Sequence, residues 1–387
     1  MKEKYCKIPK FRFNKFLESW KRLKYEDVIE VNSGKDYKHL EKGDIPVYGT
    51  GGYMLSVSEA ITNKDGVGIG RKGTINKPYI LKAPYWTVDT LFFCIPKNKY
   101  NLYFINAIFE RTQWERFDES TGVPSLSKLT INNIQNYFPS FDEQSAIGSL
   151  FRTLDDLLAS YKDNLANYQS LKATMLSKMF PKAGQTVPEI RLDGFEGEWK
   201  LYELKSRAET ITKGTTPKDK SWQGEVNYIK TESINRDTGS LVRTASTSLD
   251  EHLGYLKRSI LKEDDVLFSI VGTLGVVGIV DKKDLPANTN QQIAIIRLKR
   301  DDAIFMLNFL KSPRIKSFIK SDSTIGAQPS LSLWQIEKIK VSLPPSLEEQ
   351  QAIGTYFSNL DNLIASHQEK ISQLETLKKK LLQDMFI

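Results

Sequence analysis

Cysteine and histidine are scarce in this sequence of 387 residues. The two cysteines, Cys6 and Cys94, cannot build a disulfide framework or a four-cysteine zinc site. The three histidines, His39, His252 and His367, lie far apart and show no metal-ligand spacing. We therefore expect no bound metal and a reducing compartment.

Long apolar runs are also missing. No run approaches the ~18 residues that a transmembrane helix needs. The N-terminal segment 1–13 is too polar for a signal peptide. The sequence therefore predicts a soluble, cytoplasmic protein without membrane association.

The motifs of common nucleotide-dependent enzymes are absent as well. The sequence has no G-x-x-x-x-G-K-[ST] loop and no Asn/Asp-Pro-Pro-aromatic signature of adenine methyltransferases. Gly68–Gly73 matches G-x-G-x-x-G, but a dinucleotide site needs a helix directly afterwards, and Thr74–Pro78 is not a helix start. No cluster of His, Cys and Asp suggests nucleophilic chemistry. We expect a binding protein without catalysis of its own.

What the sequence does contain is two pairs of repeated segments. The lead segments Pro9–Lys21 and Pro188–Lys200 share Pro, Arg, Phe, Trp and Lys at matched positions. The segments that begin E-Q-S-A-I-G at Glu143 and E-Q-Q-A-I-G at Glu349 match without a gap through to a shared Met-Phe. The regions between them differ strongly. The order is therefore variable region, repeated segment, variable region, repeated segment.

Both of the longer repeated segments have a helical pattern. Apolar residues recur at three- and four-residue steps, with no Gly or Pro between Gly148 and Pro181 and none after Gly354. This predicts two long helices with a heptad-like seam. Because one such helix alone would expose its seam, we predict that the two copies pack as an antiparallel pair. Two ordinary core helices in separate domains are the alternative.

Positive charge is concentrated outside these helices. Lys and Arg number 55 against 47 Asp and Glu, which gives a net charge of +8. Segments 141–180 and 346–387 carry −1 and −2, so the remaining residues carry +11. An excess of this kind suits a polyanion but does not require one. If phosphate backbone is bound, the variable regions are predicted to bind it.

Each variable region is predicted to be a compact α+β domain, because short β-like runs are broken by Gly, Pro, Asn and Asp and followed by a helix. The predicted helices run from Leu102 to Glu115 and from Ala303 to Lys320. The predicted fold is α+β, with two globular domains, a pair of long antiparallel coiled-coil helices and a pseudo-two-fold internal repeat. The predicted boundaries are 1–141 for the first domain, 142–183 for the central helix, 184–345 for the second domain and 346–387 for the C-terminal helix.

Several loops of the variable regions combine Gly with basic, amide, hydroxyl and aromatic side chains. Such side chains contact phosphates and read base edges. Taken singly, each loop is better explained as an ordinary turn. As a set that occurs twice in basic domains, the loops fit DNA contact and ordinary turns equally well. The candidate DNA-binding residues are Lys35, Tyr37, Lys38, Tyr48, Thr50, Arg71, Lys72, Thr74, Lys213, Thr215, Thr216, Lys230, Thr231, Thr273, Asn290, Gln291 and Gln292.

The alternation of domain and repeated helix resembles the DNA-specificity (S) subunit of type I restriction-modification systems. The resemblance covers essentially the whole chain and is most specific in the E-Q-x-A-I-G helices. Pro124–Ser127 and Pro329–Ser332, both Pro-Ser-Leu-Ser, look like the lead-in that this family places before each helix. Lys213–Pro217 looks like the start of many of its target recognition domains.

The resemblance implies that each domain recognises one half of a split, asymmetric site in double-stranded DNA, and that the helices fix the spacer. It implies a non-catalytic subunit that holds two methyltransferase (modification) subunits, which use S-adenosylmethionine to methylate adenine N6. Restriction subunits, which use ATP and Mg²⁺, would complete the nuclease; no cofactor is expected on this chain. Methyltransferases would dock on the helices, and the predicted interface residues are Leu154, Leu157, Tyr161, Leu171, Leu360, Leu363, Leu374 and Leu377.

Two alternatives remain open at this stage. The chain could be a structural scaffold of two β-rich domains on a coiled-coil strut that binds an acidic protein or a glycan. It could also be the specificity subunit of a system in which methyltransferase and nuclease are fused. The sequence gives neither the two half-sites nor the spacer length.

Overall fold

The computed structural model describes residues 8–324 and 328–387, so Cys6 lies outside the described residues. The chain divides into two compact units. Unit 1 comprises the residues up to Lys162 together with Glu369–Ile387, and unit 2 comprises Asp163–Gln368. Each unit therefore contains one variable region, the N-terminal part of one long helix and the C-terminal part of the other.

The first variable region and the helix after it supply nine strands and four helices among the described residues. The strands are β1 (Lys21–Lys24), β2 (Ile29–Ser33), β3 (Lys42–Gly49), β4 (Gly52–Val57), β5 (Gly66–Gly70), β6 (Tyr79–Leu81), β7 (Trp86–Thr87), β8 (Leu91–Pro96) and β9 (Gln135–Phe138). The helices are α1 (Tyr25–Val28), α2 (Leu102–Arg111), α3 (Lys128–Asn133) and α4 (Phe141–Lys178).

The second variable region and the last helix supply the other elements. The strands are β10 (Lys200–Glu203), β11 (Ala208–Lys213), β12 (Val226–Ile229), β13 (Ser246–Thr247), β14 (Val266–Ser269), β15 (Val277–Ile279), β16 (Ala287–Thr289), β17 (Ile293–Leu298) and β18 (Lys340–Leu343). The helices are α5 (Leu204–Arg207), α6 (Leu249–Leu253), α7 (Ala303–Lys311), α8 (Pro313–Asp322), α9 (Leu333–Glu337) and α10 (Leu347–Asp384).

The two units have the same sheet topology despite their different sequences. Unit 1 has a four-stranded sheet in the order β2-β8-β5-β6, a three-stranded sheet β4-β3-β7 and a ribbon β1-β9. Unit 2 repeats these as β11-β17-β14-β15, β13-β12-β16 and β10-β18. The pairs β3·β7 and β12·β16 are parallel, and all other pairs are antiparallel. The predicted α+β fold with an internal repeat is confirmed.

The long helices α4 and α10 pack in opposite directions within each unit. In unit 1 the Lys378 ammonium on α10 pairs with Asp155 on α4, and in unit 2 the Lys172 ammonium on α4 pairs with Asp361 on α10. Lys172 and Lys378 are equivalent residues of the repeat, and so are Asp155 and Asp361, so the two ion pairs are copies of each other. The predicted antiparallel helix pair is therefore observed, with 38 residues in each helix.

The E-Q-x-A-I-G motif joins each long helix to its own domain. The buried Glu143 carboxylate accepts two hydrogen bonds from the Arg12 guanidinium, both 2.7 Å long. The next side chain, Gln144, accepts a hydrogen bond of 3.1 Å from the amide of Asn101, the residue that caps the N-terminus of α2. A Cβ atom on Gly148 would lie 2.4 Å from the Asn101 side-chain oxygen. Glycine at position 148 therefore leaves room for the Asn101 side chain that caps α2.

The same arrangement recurs in unit 2. Glu349 accepts hydrogen bonds of 2.8 and 2.7 Å from Arg191. Gln350 accepts a hydrogen bond of 3.0 Å from the amide of Asp302, which caps α7. The repeated residues thus attach a helix to a domain, which explains why they agree while the loops differ.

The Met-Phe pair at the end of each repeated segment completes the core of a unit. Phe386 is buried in unit 1, where its ring centre lies 5.4 Å from that of Phe104. Phe180 is buried in unit 2, where its ring centre lies 5.5 Å from that of Phe305. Each domain core therefore depends on the C-terminal end of the helix that belongs to the other copy of the repeat.

Two helix predictions differ from the structure. The predicted helix 303–320 is broken into α7 and α8, because Pro313 lacks the amide that a continuous helix would use and begins a new helix instead. The predicted helix 102–115 ends at Arg111, and Thr112 is extended. A short 3₁₀ helix follows at Trp114–Phe117.

Membrane and metal features can be judged only for the part of the chain that the structure describes. Within it, no helix combines the length and the apolarity needed to cross a membrane. Residues 8–324 and 328–387 contain no group of three His, Cys, Asp or Glu side chains that could hold a metal ion. Cys94 is a free, buried cysteine, and burial raises the pKa of its thiol.

Candidate nucleic-acid interface

Three loops of unit 1 meet at one edge of its four-stranded sheet. Strands β2 and β5 end at this edge, and β8 begins there because it is antiparallel to both. The Lys35 amide donates a hydrogen bond of 2.9 Å to the Thr87 carbonyl. The Arg71 amide donates one of 2.8 Å to the Thr90 carbonyl. Residues that are far apart in sequence, and that are predicted to contact DNA, are therefore brought to one surface.

The side chains at this edge are mainly positive. Four candidate cations and one candidate hydroxyl are exposed, namely Lys35, Lys38, Arg71, Lys72 and Thr74. Tyr37, Tyr48 and Thr50 are only partly exposed. The ring of Tyr48 lies among those of Tyr53, Tyr79 and Tyr85, with ring centres 6.1–6.5 Å from its own. Tyr48 therefore packs with the core that supports the β3–β4 hairpin.

Unit 2 builds the same edge with the same backbone hydrogen bonds. The Thr215 amide donates to the Thr289 carbonyl at 2.9 Å, as Lys35 does to Thr87 in unit 1. The Gly272 amide donates to the Pro329 carbonyl at 3.0 Å, as Gly73 does to Pro124 at 2.8 Å. Because these partners are backbone groups, the side chains around them can change without loss of the edge.

A glycine is required at one position of each edge. A Cβ atom on Gly34 would lie 2.0 Å from the Val88 carbonyl oxygen, and one on Gly214 would lie 2.0 Å from the Thr289 carbonyl oxygen. Real Cβ atoms do not approach backbone so closely. The glycine in S-G-K and in K-G-T therefore lets the loop pack against the neighbouring strand end.

The Pro-Ser-Leu-Ser segments link each edge to the helix that follows. The carbonyls of Pro124 and Pro329 accept the hydrogen bonds from the amides of Gly73 and Gly272. The leucine is buried in both copies, and the last serine, Ser127 or Ser332, accepts a hydrogen bond that caps α3 or α9. The contacts of these segments are structural ones that position the loops, and we do not assign DNA contact to them.

The side chains at the edge of unit 2 are less basic and richer in amides and hydroxyls. Lys213, Thr273 and Gln291 are exposed, whereas Thr215, Thr216, Lys230, Asn290 and Gln292 are partly exposed. Gln291 and Thr216 are hydrogen-bonded to each other through their side chains. The Asn290 side-chain amide donates to that of Gln292 at 3.3 Å. Polar groups of this kind match the hydrogen-bonding edges of bases.

One candidate of unit 2 is less accessible than its sequence suggested. Thr231 begins a short 3₁₀ helix, Thr231–Ser233, and its hydroxyl oxygen is buried without a hydrogen-bond partner among the described residues. In this arrangement the hydroxyl does not reach the surface.

Three residues near this edge, Arg258, Trp222 and Tyr228, were not predicted from the sequence. The Arg258 guanidinium donates to the Thr215 hydroxyl at 3.1 Å. The Lys230 ammonium lies 3.6 Å from the centre of the Trp222 ring. The buried Tyr228 hydroxyl donates to the Thr215 carbonyl at 2.9 Å, and burial raises its pKa, so it stays protonated. None of the three stands in a glycine-rich loop, so no local pattern marked them.

Comparison with known proteins identifies the family. A family model described as the type I restriction modification DNA specificity domain matches residues 18–167 and 196–376. The chain belongs to the family of type I DNA-specificity proteins. The two matched ranges correspond to the two copies of domain and helix, so both halves are members.

Named relatives agree with this assignment at low identity. The chain is 24% identical over 275 residues to the type I restriction enzyme MjaVIII specificity subunit of Methanocaldococcus jannaschii, an alignment that covers 68% of this chain and 64% of that protein. It is 23% identical to the EcoBI specificity subunit of Escherichia coli, over 95% of this chain and 86% of that one. The alignments span less than two thirds of MjaVIII and of a second M. jannaschii relative, MjaX, at 64% and 60% of their lengths.

Solved structures show the same fold. The S subunit of a type I restriction-modification system from M. genitalium aligns with a TM-score of 0.69 and 16% identity, over 98% of this chain and 99% of that one. A chain from a structural study of type I system assembly and conformational transition aligns with a TM-score of 0.52 and 15% identity, covering 96% and 98%. The similarity extends over both units.

The eight predicted interface residues of this type I DNA-specificity protein divide into two groups. Leu154, Leu360 and Leu374 are buried in the cores of their units, and Tyr161 packs against the core of unit 1. The other four are exposed by 37–43%, namely Leu157, Leu171, Leu363 and Leu377. They form matched pairs in the repeat, Leu157 with Leu363 and Leu171 with Leu377. Leu154, Leu360 and Leu374 are therefore closed to another protein, whereas the four exposed leucines and the partly exposed Tyr161 are accessible.

The basic edge of unit 1 gives a prediction about salt. Changing Arg71 or Lys72 to alanine is expected to weaken binding to every duplex and to reduce the slope of log K against log salt by about 1 for each phosphate that is no longer neutralised. The measurement is duplex binding over a range of salt concentrations. Lys380→Ala, an exposed charge on α10, is the control. An unchanged slope in Arg71→Ala and Lys72→Ala would contradict phosphate binding by these side chains.

Proposed function

We propose that the chain is the DNA-specificity subunit of a restriction-modification system, and that it recognises a bipartite, asymmetric site in double-stranded DNA. The observation that carries the proposal is the duplicated loop edge. Two units with one topology hold their loops by the same backbone hydrogen bonds but present different side chains. Recognition of two different half-sites requires two surfaces with different side chains, and here one backbone arrangement supplies both.

Charge and chemistry at the edges support this proposal. Unit 1 presents Lys and Arg, which contact phosphates and guanine, and unit 2 presents Asn and Gln, which pair with adenine. The long helices carry net negative charge. DNA contact is therefore assigned to the domains rather than to the helices.

The amides of unit 2 give the sharper prediction. Changing Gln291 and Gln292 together to alanine is expected to alter base preference in one half-site, since one good bidentate amide–base pair contributes about 1–3 kcal/mol of discrimination. Selection of bound duplexes from a random pool would show a relaxed half-site beside an intact one. Gln383→Ala, an exposed glutamine on α10, is the matched control. Equal loss of affinity for all sequences would contradict direct readout by these residues.

Chemistry is assigned to other subunits. Specificity subunits of type I systems are non-catalytic. In our proposal this chain selects the site, and two methyltransferase subunits with S-adenosylmethionine methylate adenine there. Restriction subunits with ATP and Mg²⁺ would then cleave unmodified DNA. The identity of these partners and cofactors belongs to the proposal.

The exposed leucines on the helices are the proposed docking residues for the methyltransferases. They occur as repeated pairs, so the chain offers the same apolar surface twice, which fits two copies of one partner. Leu157→Asp together with Leu363→Asp is expected to abolish co-purification with the modification subunit while leaving each unit folded. Leu17→Asp, at a leucine that is 86% exposed outside the helices, is the control. Retained co-purification would rule out this surface.

A further inference from the structure

Two lysines of unit 2 donate hydrogen bonds to the same carbonyl oxygen. Lys311, the last residue of α7, donates a hydrogen bond of 2.9 Å to the Asp237 carbonyl oxygen. Lys172 on α4 donates to the same oxygen at 2.6 Å and also pairs with the Asp361 carboxylate. Two ammonium groups therefore divide one carbonyl and one carboxylate between them, in a partly buried setting.

The equivalent place in unit 1 has balanced charge. Lys378 is the repeat partner of Lys172 and lies between two carboxylates, those of Glu110 and Asp155. Glu110 stands at the same distance from the N-cap of α2 as Lys311 does from the N-cap of α7. Unit 2 has thus exchanged a carboxylate for an ammonium at one position. The exchange removes a counter-charge and adds a like charge beside Lys172.

The lysine pair opens on a cavity of about 450 Å³. Arg236 and Lys316 also line it, and so does the loop from Thr273 to Val277 at the candidate DNA edge. Burial, together with the nearby charge of Lys172, lowers the pKa of Lys311 to about 7. The carboxylates of Asp361 and Asp237, the second of which also lines the cavity, oppose this effect only in part. A bound anion would stabilise the protonated form of Lys311 further.

We propose that the cavity bounded by Lys172 and Lys311 is a phosphate-binding site. Four cationic side chains and one carboxylate, that of Asp237, line it, and one of the four cations, Lys172, is already paired with Asp361. Its volume of about 450 Å³ exceeds that of a phosphate group. Thr273 at its wall belongs to a loop assigned above to DNA contact. The phosphate could come from the DNA backbone, in which case the inference rests on the proposed function. It could also come from a free phosphate or a nucleotide.

Lys311→Glu is the decisive variant. The new carboxylate can pair with Lys172 as Glu110 pairs with Lys378 in unit 1, so the variant is expected to fold. Circular dichroism and the urea midpoint would check this. Lys320→Glu makes the same charge change at an exposed lysine of α8 that does not line the cavity. Both variants are made in the full chain.

The first measurement is calorimetric titration with inorganic pyrophosphate. The wild-type chain and Lys320→Glu are expected to bind it alike, whereas Lys311→Glu should bind at least about tenfold more weakly, which is about 1.4 kcal/mol. In a parallel experiment, the amine of Lys311 is followed by NMR after reductive methylation. Its pKa should rise when pyrophosphate is added. Equal binding by the wild type and Lys311→Glu, or a pKa that does not move, would overturn the site.

The second measurement identifies the source. If the backbone of DNA supplies the phosphate, Lys311→Glu should weaken binding to all duplexes and reduce the slope of log K against log salt by about 1. Pyrophosphate should then compete with duplex for the wild-type chain but not for Lys311→Glu. If free phosphate is the source, pyrophosphate binding is lost in Lys311→Glu while duplex binding matches that of Lys320→Glu. A wild-type chain without preference among duplexes would refute the proposed function instead, and the pyrophosphate titration would still decide the site.

Discussion

Replacing Glu349 with alanine is expected to lower the free energy of unfolding of unit 2 by about 3–5 kcal/mol. The carboxylate of Glu349 has a side-chain exposure of 2%, and it receives both arms of the Arg191 guanidinium, whose exposure is 14%. Removal of the carboxylate leaves that partly buried guanidinium without its counter-charge. The two remaining hydrogen bonds of Arg191, to the carbonyls of Glu196 and Gly197, cannot neutralise it.

The adjacent residue provides a matched control for this prediction. Glu348→Ala removes an exposed carboxylate from the same helical turn and should change the free energy of unfolding by less than about 0.5 kcal/mol. Urea unfolding of the full chain, followed by a probe in unit 2, measures both variants. A Glu349→Ala variant as stable as Glu348→Ala would show that the Arg–Glu pair does not hold helix to domain. Replacement of both Arg191 and Glu349 by apolar residues should recover part of the loss.

Replacing Phe386 with alanine is expected to destabilise unit 1 by about 3–5 kcal/mol. Its side chain is buried, and its ring centre lies 6.2 Å from that of Trp20 and 5.8 Å from that of Phe151. Truncation leaves a cavity among aromatic rings that cannot collapse easily.

The measurement for Phe386→Ala is the unfolding midpoint of unit 1, with unit 2 as an internal reference. Phe180→Ala should produce the opposite pattern, since Phe180 is the repeat partner of Phe386 and is buried in unit 2. Gln383→Ala, exposed on the preceding turn, should have no effect. If Phe386→Ala unfolded at the wild-type midpoint, the helix end would not be part of the domain core.

The repeat allowed much of the architecture to be predicted. An ungapped repeat with helical periodicity indicated two long helices, and their seams indicated a mutual partner. The periodicity did not show which seam residues are buried within a unit. Leu154 and Leu157 belong to the same stripe, yet Leu154 is 6% exposed and Leu157 is 42% exposed. The difference arises from contacts with domain residues that are distant in sequence.

The candidate site was predicted less completely than the fold. Glycine marked the loops correctly as places of close backbone approach, as at Gly34 and Gly214. It did not mark Arg258, which reaches Thr215 from a separate segment. Nor could the sequence show that Lys311 faces Lys172, because the two are joined only by the tertiary packing of α7 against α4. Such pairs become visible only in the folded chain.

Whether this chain chooses the DNA site can be tested by sequencing methylated adenines in cells that express it with its methyltransferase, compared with cells that lack only this chain. We expect one split, asymmetric motif that is methylated only when the chain is present. In cells carrying the Gln291→Ala, Gln292→Ala variant, one half of that motif should change and the other half should remain. An identical set of methylated motifs with and without the chain would contradict its role in site selection.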